Sequence, residues 1–203
     1  QWWMQNNPRP IGKQYGCRVS SEEEFFEHLK QLLDENKNKH ILVAGHHPVY
    51  SYAIHGGSFK LKHHIFPLTV YDNNAYIPLP FIGSLLPLYR SLLGAKEDMS
   101  HPRYRKLRNR LKELFANYPG LLYASGHEHN LQYICKNSNH YIVSGAGSKL
   151  KYVLQSGKNL LFGIKAKGFF KLRFETDGSV FTSVWVADRN LPKGRLVYEK
   201  QLI

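Results

Sequence analysis

Two groups of histidines, each introduced by a glycine, are the residues of this 203-residue sequence best suited to chemistry. They are Gly45-His46-His47 and Gly126-His127-Glu128-His129. Neutral imidazole is the commonest protein ligand for zinc, iron and related metals. A preceding glycine lets the backbone turn sharply, so that the imidazole can point into a cleft. One such histidine alone would more often be a hydrogen-bonded loop residue, but two equivalent groups together predict a metal site.

The spacing leaves the number of metal ions open. His46, His127 and His129 could form a three-histidine zinc site with one metal, because residues two apart on an extended segment share a face. The same histidines could also be divided between two metals. Two cysteines, Cys17 and Cys135, form no C-x-x-C pair, which argues against a cysteine-based zinc site.

Each histidine group follows a predicted buried strand. A helix is predicted from about Ser21 to Asn36, because a capping-box pattern precedes apolar residues at helical spacing. The apolar run Ile41–Ala44 follows as a strand. A second cycle has a helix beginning at Pro102 and a strand over Leu121–Ala124. This repeated order predicts an α/β protein whose functional loops lie at the carboxyl ends of strands.

The hydrophobic pattern changes to a period of two downstream of the second histidine group. Strands are predicted over Gln132–Lys136, Tyr141–Ser144, Phe169–Glu175 and Ser179–Val186, with a hairpin turn at Thr176–Gly178. These strands are expected to be antiparallel. Between the two cycles, the apolar stretch Ile77–Leu93 is interrupted by three prolines and Arg90. It is too short and too broken to cross a bilayer, which needs about 20 apolar residues.

The charge of the chain favours acidic partners. Its 28 Lys and Arg residues against 15 Asp and Glu residues give a net charge of +13. Basic residues cluster in 103–112 and again in 149–171, where they could follow a nucleic-acid backbone. They could equally form a solvated face that attracts an anionic substrate. With 42% hydrophobic residues, the chain has enough apolar surface to fold as a globular domain.

Three strings of residues carry a resemblance to a known family. GHHPVYSYAIHGG (Gly45–Gly57), SGHEHNLQY (Ser125–Tyr133) and YIVSGAGSK (Tyr141–Lys149) resemble, in that order, the C-terminal half of the calcineurin-like metallophosphoesterases. Within that superfamily they are most similar to the purple and tartrate-resistant acid phosphatase branch, and the opening QWW resembles the same branch. The resemblance implies the C-terminal half of an α-β-β-α sandwich, in which helices flank two stacked mixed sheets.

The resemblance also implies roles for individual residues. His46 and His127 would bind one metal and His129 the other, in a pair of divalent or trivalent ions (Fe, Zn or Mn). His55 would be an outer-sphere group that binds phosphate or protonates the leaving oxygen. Glu128 is expected to face solvent. Further residues expected to line the cleft are His47, Asn130 and Tyr50, although Tyr50 fits a packing role equally well.

The implied function is hydrolysis of phosphomonoesters by a dinuclear metal site. The family motifs GD-x-H, GD-x-x-Y/D and GNHD, which supply the bridging carboxylate and other ligands, do not occur here. Residues 1–203 are therefore interpreted as a partial domain, inactive alone, whose partner is the missing N-terminal half. The alternative is a catalytically inactive module that binds phosphate or nucleic acid. An extracytoplasmic location (periplasmic, membrane-associated or secreted) is expected from the family branch.

An apolar insert at about 58–99 separates the two histidine groups. Loops longer than about 12 to 15 residues are usually functional or disordered, and this one is rich in large apolar side chains. Because it begins three residues after His55, we expect it to fold over the rim of the metal cleft and to restrict which phosphate esters enter. Packing against the missing half or contact with a membrane surface are the alternatives.

Overall fold

Both predicted cycles of helix and strand are present. The computed structural model describes residues 16, 19–72 and 74–203, so the opening QWW and Cys17 lie outside the described residues. In chain order the helices are α1 (Glu22–Glu35), α2 (Leu61–Ile65), α3 (Leu85–Leu92) and α4 (Pro102–Phe115). Ser21 caps α1 as predicted, because its Oγ accepts a hydrogen bond from the backbone N–H of Glu24 at 3.0 Å.

In the part of the chain that the structure describes, eight strands form two sheets. They are β1 (Leu42–Gly45), β2 (Leu122–Ser125), β3 (Leu131–Lys136), β4 (Asn139–Ser144), β5 (Leu160–Ile164), β6 (Gly168–Phe174), β7 (Val180–Asp188) and β8 (Leu191–Gln201). The first sheet has the order β1-β2-β4-β3-β5, with β1, β2 and β4 parallel and β3 antiparallel to both of its neighbours. The second sheet is β6-β7-β8. Two of the eight strands, β5 and β8, are not predicted from the sequence.

The described residues are arranged in three layers. Helices α1 and α4 bury Phe26, Leu33, Leu107 and Phe115 against one face of the first sheet. The opposite face packs on the second sheet, where residues such as Leu131 and Val184 are buried together. The predicted α/β class with two stacked sheets is confirmed. The second sheet is antiparallel throughout, however, whereas a mixed sheet was expected.

Parallel pairing of β1 and β2 brings the two histidine groups to one edge of the first sheet. Gly45, the last residue of β1, is paired in register with Ser125, the last residue of β2. The loops that follow therefore start at the same level, at the carboxyl ends of adjacent strands. This is the position in which open α/β sheets usually form their sites.

The basic helix α4 is partly neutralised by its neighbour. Arg110 forms an ion pair with Glu22 of α1 at 2.7 Å, and its guanidinium carbon lies 4.0 Å from the ring centre of Phe26. The ammonium group of Lys112 lies 5.0 Å from the ring centre of Tyr50. Part of the basic stretch 103–112, for which a nucleic-acid contact and a solvated face are the alternatives, is thus engaged in packing within the fold.

The insert folds into short elements, in agreement with its prolines. Besides α2 and α3 it contains 3₁₀ turns at Pro67–Val70 and Ile82–Ser84. Its apolar side chains are not all covered, and Phe81 is 97% exposed. Other exposed apolar residues of the insert are Leu61, Ile65, Leu68, Tyr71, Tyr76, Ile77, Ile82, Leu85, Leu88, Tyr89, Leu92 and Leu93. Within the described residues, no helix has the length and apolar character needed to span a bilayer.

Candidate metal centre and active site

Three imidazoles from the two histidine loops converge at the edge of the first sheet. One ring nitrogen each of His46, His47 and His127 lies within 4.8 Å of the others. The ring centres of His47 and His127 are 4.0 Å apart, and those of His46 and His127 are 5.3 Å apart. We call these three residues the histidine trio. Such a spacing lets one metal ion contact all three rings after small side-chain adjustments.

Two members of the trio, His47 and His127, are held in the neutral form that a metal ligand requires. Burial, followed by the neighbouring His127 and His46, lowers the pKa of His47 to about 3. Burial, followed by His55, lowers the pKa of His127 to about 4. Nδ1 of His47 is buried and has no hydrogen-bond partner among the described residues. A buried lone pair without a partner is costly, and coordination of a metal would relieve that cost.

The backbone at His127 is unusual. Its φ of 63° lies in the left-handed region, which is uncommon for a residue other than glycine. Its Nε2 is 2.9 Å from the backbone oxygen of Glu97, at the end of the insert. Because a carbonyl oxygen only accepts, Nε2 carries the proton and Nδ1 keeps the lone pair. The insert thereby fixes which nitrogen of His127 is free to bind a metal.

His129, the third ligand predicted from the resemblance, is not one of the trio. Its Nδ1 is buried without a hydrogen-bond partner among the described residues, and its backbone oxygen accepts from the N–H of Lys151 at 2.7 Å. Burial lowers its pKa. Together with His55, His129 lines a cleft of about 430 Å³. His47, predicted to line the cleft, lies beside His46 and His127 in the trio, whereas the resemblance assigns His129 to the other metal.

The other two residues predicted to line the cleft lie in packed surroundings. Asn130 is fully buried, where its amide donates to the backbone oxygen of Tyr152 at 3.1 Å and its oxygen accepts from Gln132 at 2.8 Å. The ring of Tyr50 packs edge-on against Tyr141, with the centres 4.7 Å apart. Two roles are predicted for Tyr50, and these contacts agree with the packing role.

Glu128 does not face solvent, contrary to the sequence-based expectation. Its side chain is 0% exposed, and Oε1 accepts hydrogen bonds from Ser51 Oγ at 2.8 Å and from the N–H of Gly56 at 3.2 Å. Burial raises the pKa of the carboxyl group. A Cβ on Gly145 would lie 2.0 Å from the backbone oxygen of Glu128, so only glycine fits beneath this loop. Glu128 therefore ties the second histidine loop to the segment that carries His55.

A buried ion pair from the insert orients His55. Asp98 is 0% exposed, and its Oδ1 accepts from His55 Nδ1 at 3.0 Å. Its Oδ2 accepts from Arg90 Nε at 2.9 Å and from the N–H of Ala95 at 2.9 Å. Burial opposes ionisation, but the hydrogen bonds from His55 and Arg90 hold the pKa of Asp98 below its usual value. Since the carboxylate only accepts, Nδ1 of His55 carries a proton and Nε2 is left for other contacts.

His55 is also close to the trio, because its ring centre is 4.6 Å from that of His127. The resemblance points to His55, but no motif in the sequence points to Asp98 and Arg90, which position it. A possible signal is present: Arg90 is a single charge in an otherwise apolar stretch, and Asp98 follows it by eight residues. Without the fold, nothing connects that pair to a histidine 35 residues before Arg90.

Comparison with known proteins supports the same class of fold. No protein-family model matches the chain. The chain is 24% identical to mouse (Mus musculus) tartrate-resistant acid phosphatase type 5 over 166 residues, which make up 80% of this chain and 35% of that protein. The chain thus spans about a third of the length of this curated relative.

Two solved structures resemble the chain. GAP50, described as the anchor in the inner membrane complex of Plasmodium, matches with a TM-score of 0.59 and 20% identity, over 98% of this chain and 46% of that one. Purple acid phosphatase PPD1 from yellow lupin (Lupinus luteus) seeds matches with a TM-score of 0.52 and 15% identity, over 91% of this chain and 28% of that one.

The stacked sheets and their structural neighbours show part of a purple acid phosphatase-type fold. The sequence also resembles an acid phosphatase, and the resemblance is partial. The predicted resemblance and the predicted fold class are confirmed.

Proposed function

We propose that this chain carries the histidine part of a dinuclear, metal-dependent site that hydrolyses phosphomonoesters. The observation that carries the proposal is the histidine trio, whose ring nitrogens converge within 4.8 Å at the ends of two adjacent parallel strands. The similarity to two acid phosphatases supports phosphate esters as the substrate class. The remaining ligands would come from a part of the complete protein that corresponds to the portion of the relatives outside the match.

The donor set fits a metal ion. His46, His47 and His127 would hold one ion, and His129, with its own unpartnered buried Nδ1, would contribute to a second. We propose that carboxylates from the missing N-terminal half complete both positions. When bound, such a metal pair neutralises the phosphate charge and supplies hydroxide at working pH by lowering the pKa of bound water.

In the proposed reaction, residues of this chain orient the two histidines His55 and His127 and attract the substrate. Asp98 holds His55 with Nδ1 protonated, so Nε2 is the atom that binds the phosphate or passes a proton to the leaving oxygen. Lys149 and Lys151 line the cleft beside His129 and attract the anionic substrate. Glu97 holds the ring of His127 in one orientation through its backbone oxygen.

Measuring the bound metal tests the proposal that the ligands are divided between this chain and the missing half. The 203-residue chain should retain well under two ions after dialysis, because a dinuclear site needs carboxylate oxygens that neutralise and bridge the cations. A protein that contains this chain and the missing half should retain two. Two ions held tightly by the 203-residue chain would overturn the division.

We further propose that the insert acts as a lid on the cleft. Its residues Val70, Tyr71 and Lys96 line the same cleft as His129. Deleting Ile77–Leu88 from the complete enzyme should change its preference between small aryl phosphates and bulky ones. A stably folded deletion variant with an unchanged preference would show that the insert is scaffold only.

An inactive phosphate-binding protein is the second candidate. Two observations favour it: no carboxylate joins the histidine trio among the described residues, and one structural neighbour is described as an anchor. Activity of the complete protein separates the two candidates. A complete protein that binds orthophosphate but releases no phosphate from aryl phosphates with added Fe, Zn or Mn would support the second.

A further inference from the structure

A small cavity beside the cleft is lined by four lysines. Lys60, Lys62, Lys151 and Lys165, together with His63, surround a space of about 160 Å³ that we call the lysine pocket. Its other lining residues are Ile54, Thr69, Val70, Leu150 and Tyr152, so no carboxylate from the described part of the chain faces it. Pockets for whole small ligands usually measure about 300 to 1,000 Å³. The lysine pocket therefore has room for one small anionic group.

The positive charges of this pocket are not neutralised within the fold. Among the described residues, none of the four ammonium groups forms an ion pair with a carboxylate. The nearest compensating contacts are aromatic: the ammonium group of Lys60 lies 5.2 Å from the ring centre of Tyr152, and that of Lys62 lies 5.9 Å from Tyr76. Like charges brought together around a concave surface repel one another, and a bound anion would remove that repulsion.

His63 provides a further polar group at the same place. It is buried, and its Nδ1 accepts the backbone N–H of Lys60 at 3.1 Å, so Nε2 carries the proton and is a donor. Burial, followed by Lys62 and Lys60, lowers its pKa to about 4. Donors and cations thus outnumber acceptors around the pocket, as expected where an anion binds.

The lysine pocket adjoins the proposed phosphate cleft. Ile54, Val70 and Lys151 line both cavities. Ile54 directly precedes His55, and the N–H of Lys151 donates to the backbone oxygen of His129. One extended ligand could therefore place one anionic group near His55 and His129 and another among the lysines.

We propose that the lysine pocket binds a second anionic group of the substrate, so that the natural substrates are phosphomonoesters carrying another phosphate. The part of this inference that concerns the reacting phosphate rests on the proposed function. The part that concerns anion binding by the lysine pocket does not. The four lysines belong to three separate segments: the start of the insert, the loop between β4 and β5, and the residue directly after β5. Only the tertiary structure brings them together.

Anion binding by the metal-free 203-residue chain tests the pocket without catalysis. Titration calorimetry would compare inorganic tripolyphosphate with orthophosphate for the unchanged chain and for the variant K60Q/K62Q/K165Q. A control variant, K37Q/K171Q/K193Q, removes the same charge from exposed lysines that line neither cavity. We expect the pocket variant to lose at least about tenfold in tripolyphosphate affinity, equivalent to about 1.4 kcal/mol, and the control variant less than about twofold.

Equal losses in both variants would overturn the inference, because they would show attraction by net charge alone. If the pocket variant does not fold, amide NMR of the unchanged chain replaces it. Tripolyphosphate should then shift the signals of Lys60, Lys62, His63 and Lys165 more than those of other basic residues. Shifts scattered over the basic surface would contradict the proposal.

Turnover by the complete protein then separates the two proposals. The pocket variant should lose kcat/KM for glucose 1,6-bisphosphate much more than for glucose 6-phosphate. If the pocket variant is active and its preference between the two substrates is unchanged, the proposed role of the lysine pocket is wrong, while the proposed function stands. Absence of any phosphatase activity, with pocket-dependent tripolyphosphate binding, would reject the proposed function and leave the pocket assignment standing.

Discussion

The histidine loops and the insert meet at one site, where His127 contacts the backbone of Glu97, but they are built in different ways. The loops follow β1 and β2, whose parallel register fixes where each loop begins. The insert has short helices and turns, and its apolar stripe of Leu85, Leu88 and Leu92 on α3 faces solvent. The same helix turns its charged residue, Arg90, inward to Asp98.

This difference separates the metal-binding part of the site from the part that orients the surrounding groups. The histidines owe their positions to backbone pairing in a sheet, which tolerates changes in side chains. The orientation of His55 depends instead on a single buried ion pair from the insert. We therefore expect changes in the two regions to have different consequences: loss of metal in one, and loss of geometry and stability in the other.

The largest effect is expected from His127→Asn in the complete protein. Asparagine tolerates the left-handed backbone at this position but lacks the imidazole, so phosphatase activity should fall by more than about 10³-fold as metal is lost. Activity and bound metal would be measured on the same sample. His28→Asn, on the exposed face of α1, is the control. Full activity of the His127 variant would remove this histidine from the metal site.

Replacing His55 by alanine should affect catalysis without removing metal. We expect a fall in kcat of about 10² to 10⁴, the usual range for the loss of a general acid or base. Metal content should stay at the level of the unchanged protein. If His55→Ala also strips the metal, the division between the histidine loops and the insert is incorrect.

Asp98→Ala should destabilise the chain by about 3 to 5 kcal/mol, because it leaves the buried charge of Arg90 without a partner. Urea unfolding of the 203-residue chain would measure this loss. The comparison is Lys30→Ala, which breaks an exposed ion pair with Asp34 on α1 and should leave the midpoint nearly unchanged. Equal, small changes in both variants would show that the insert is not held by its ion pair.

The smallest effect is expected from His63→Asn, which keeps an acceptor for the N–H of Lys60 but cannot take up a proton. Because the pKa of His63 is lowered to about 4 from the usual 6.5, the unfolded chain binds a proton between these values and the folded chain does not. Stability should therefore fall as the pH drops from 6.5 to 4, and the variant should lose part of this fall.

Urea midpoints at pH 7, 5.5 and 4 would measure the contribution of His63, with His28→Asn as the exposed control. An identical pH dependence in the His63 variant and the unchanged chain would show that this histidine is already accessible to protons in the folded insert.

The parts of the fold that the sequence predicts are those with local signals. The Ser21 cap, the helical spacing after it and the apolar runs before Gly45 and Gly126 are read from neighbouring residues, and they give α1, α4, β1 and β2 close to their observed limits. Strand β8 has no such signal, since Pro192, Gly194 and several charged residues interrupt its pattern. It forms because β7 offers a complete edge for pairing.

The site divides in the same way. The sequence by itself determined that glycine-led histidines would meet at the ends of two strands, because residue order and strand pairing are enough to place them. Only the tertiary structure decided that His47 joins His46 and His127, that Glu128 is buried, and that Asp98 and Arg90 orient His55. Those outcomes depend on side-chain directions and on contacts between residues far apart in the chain, which no local pattern encodes.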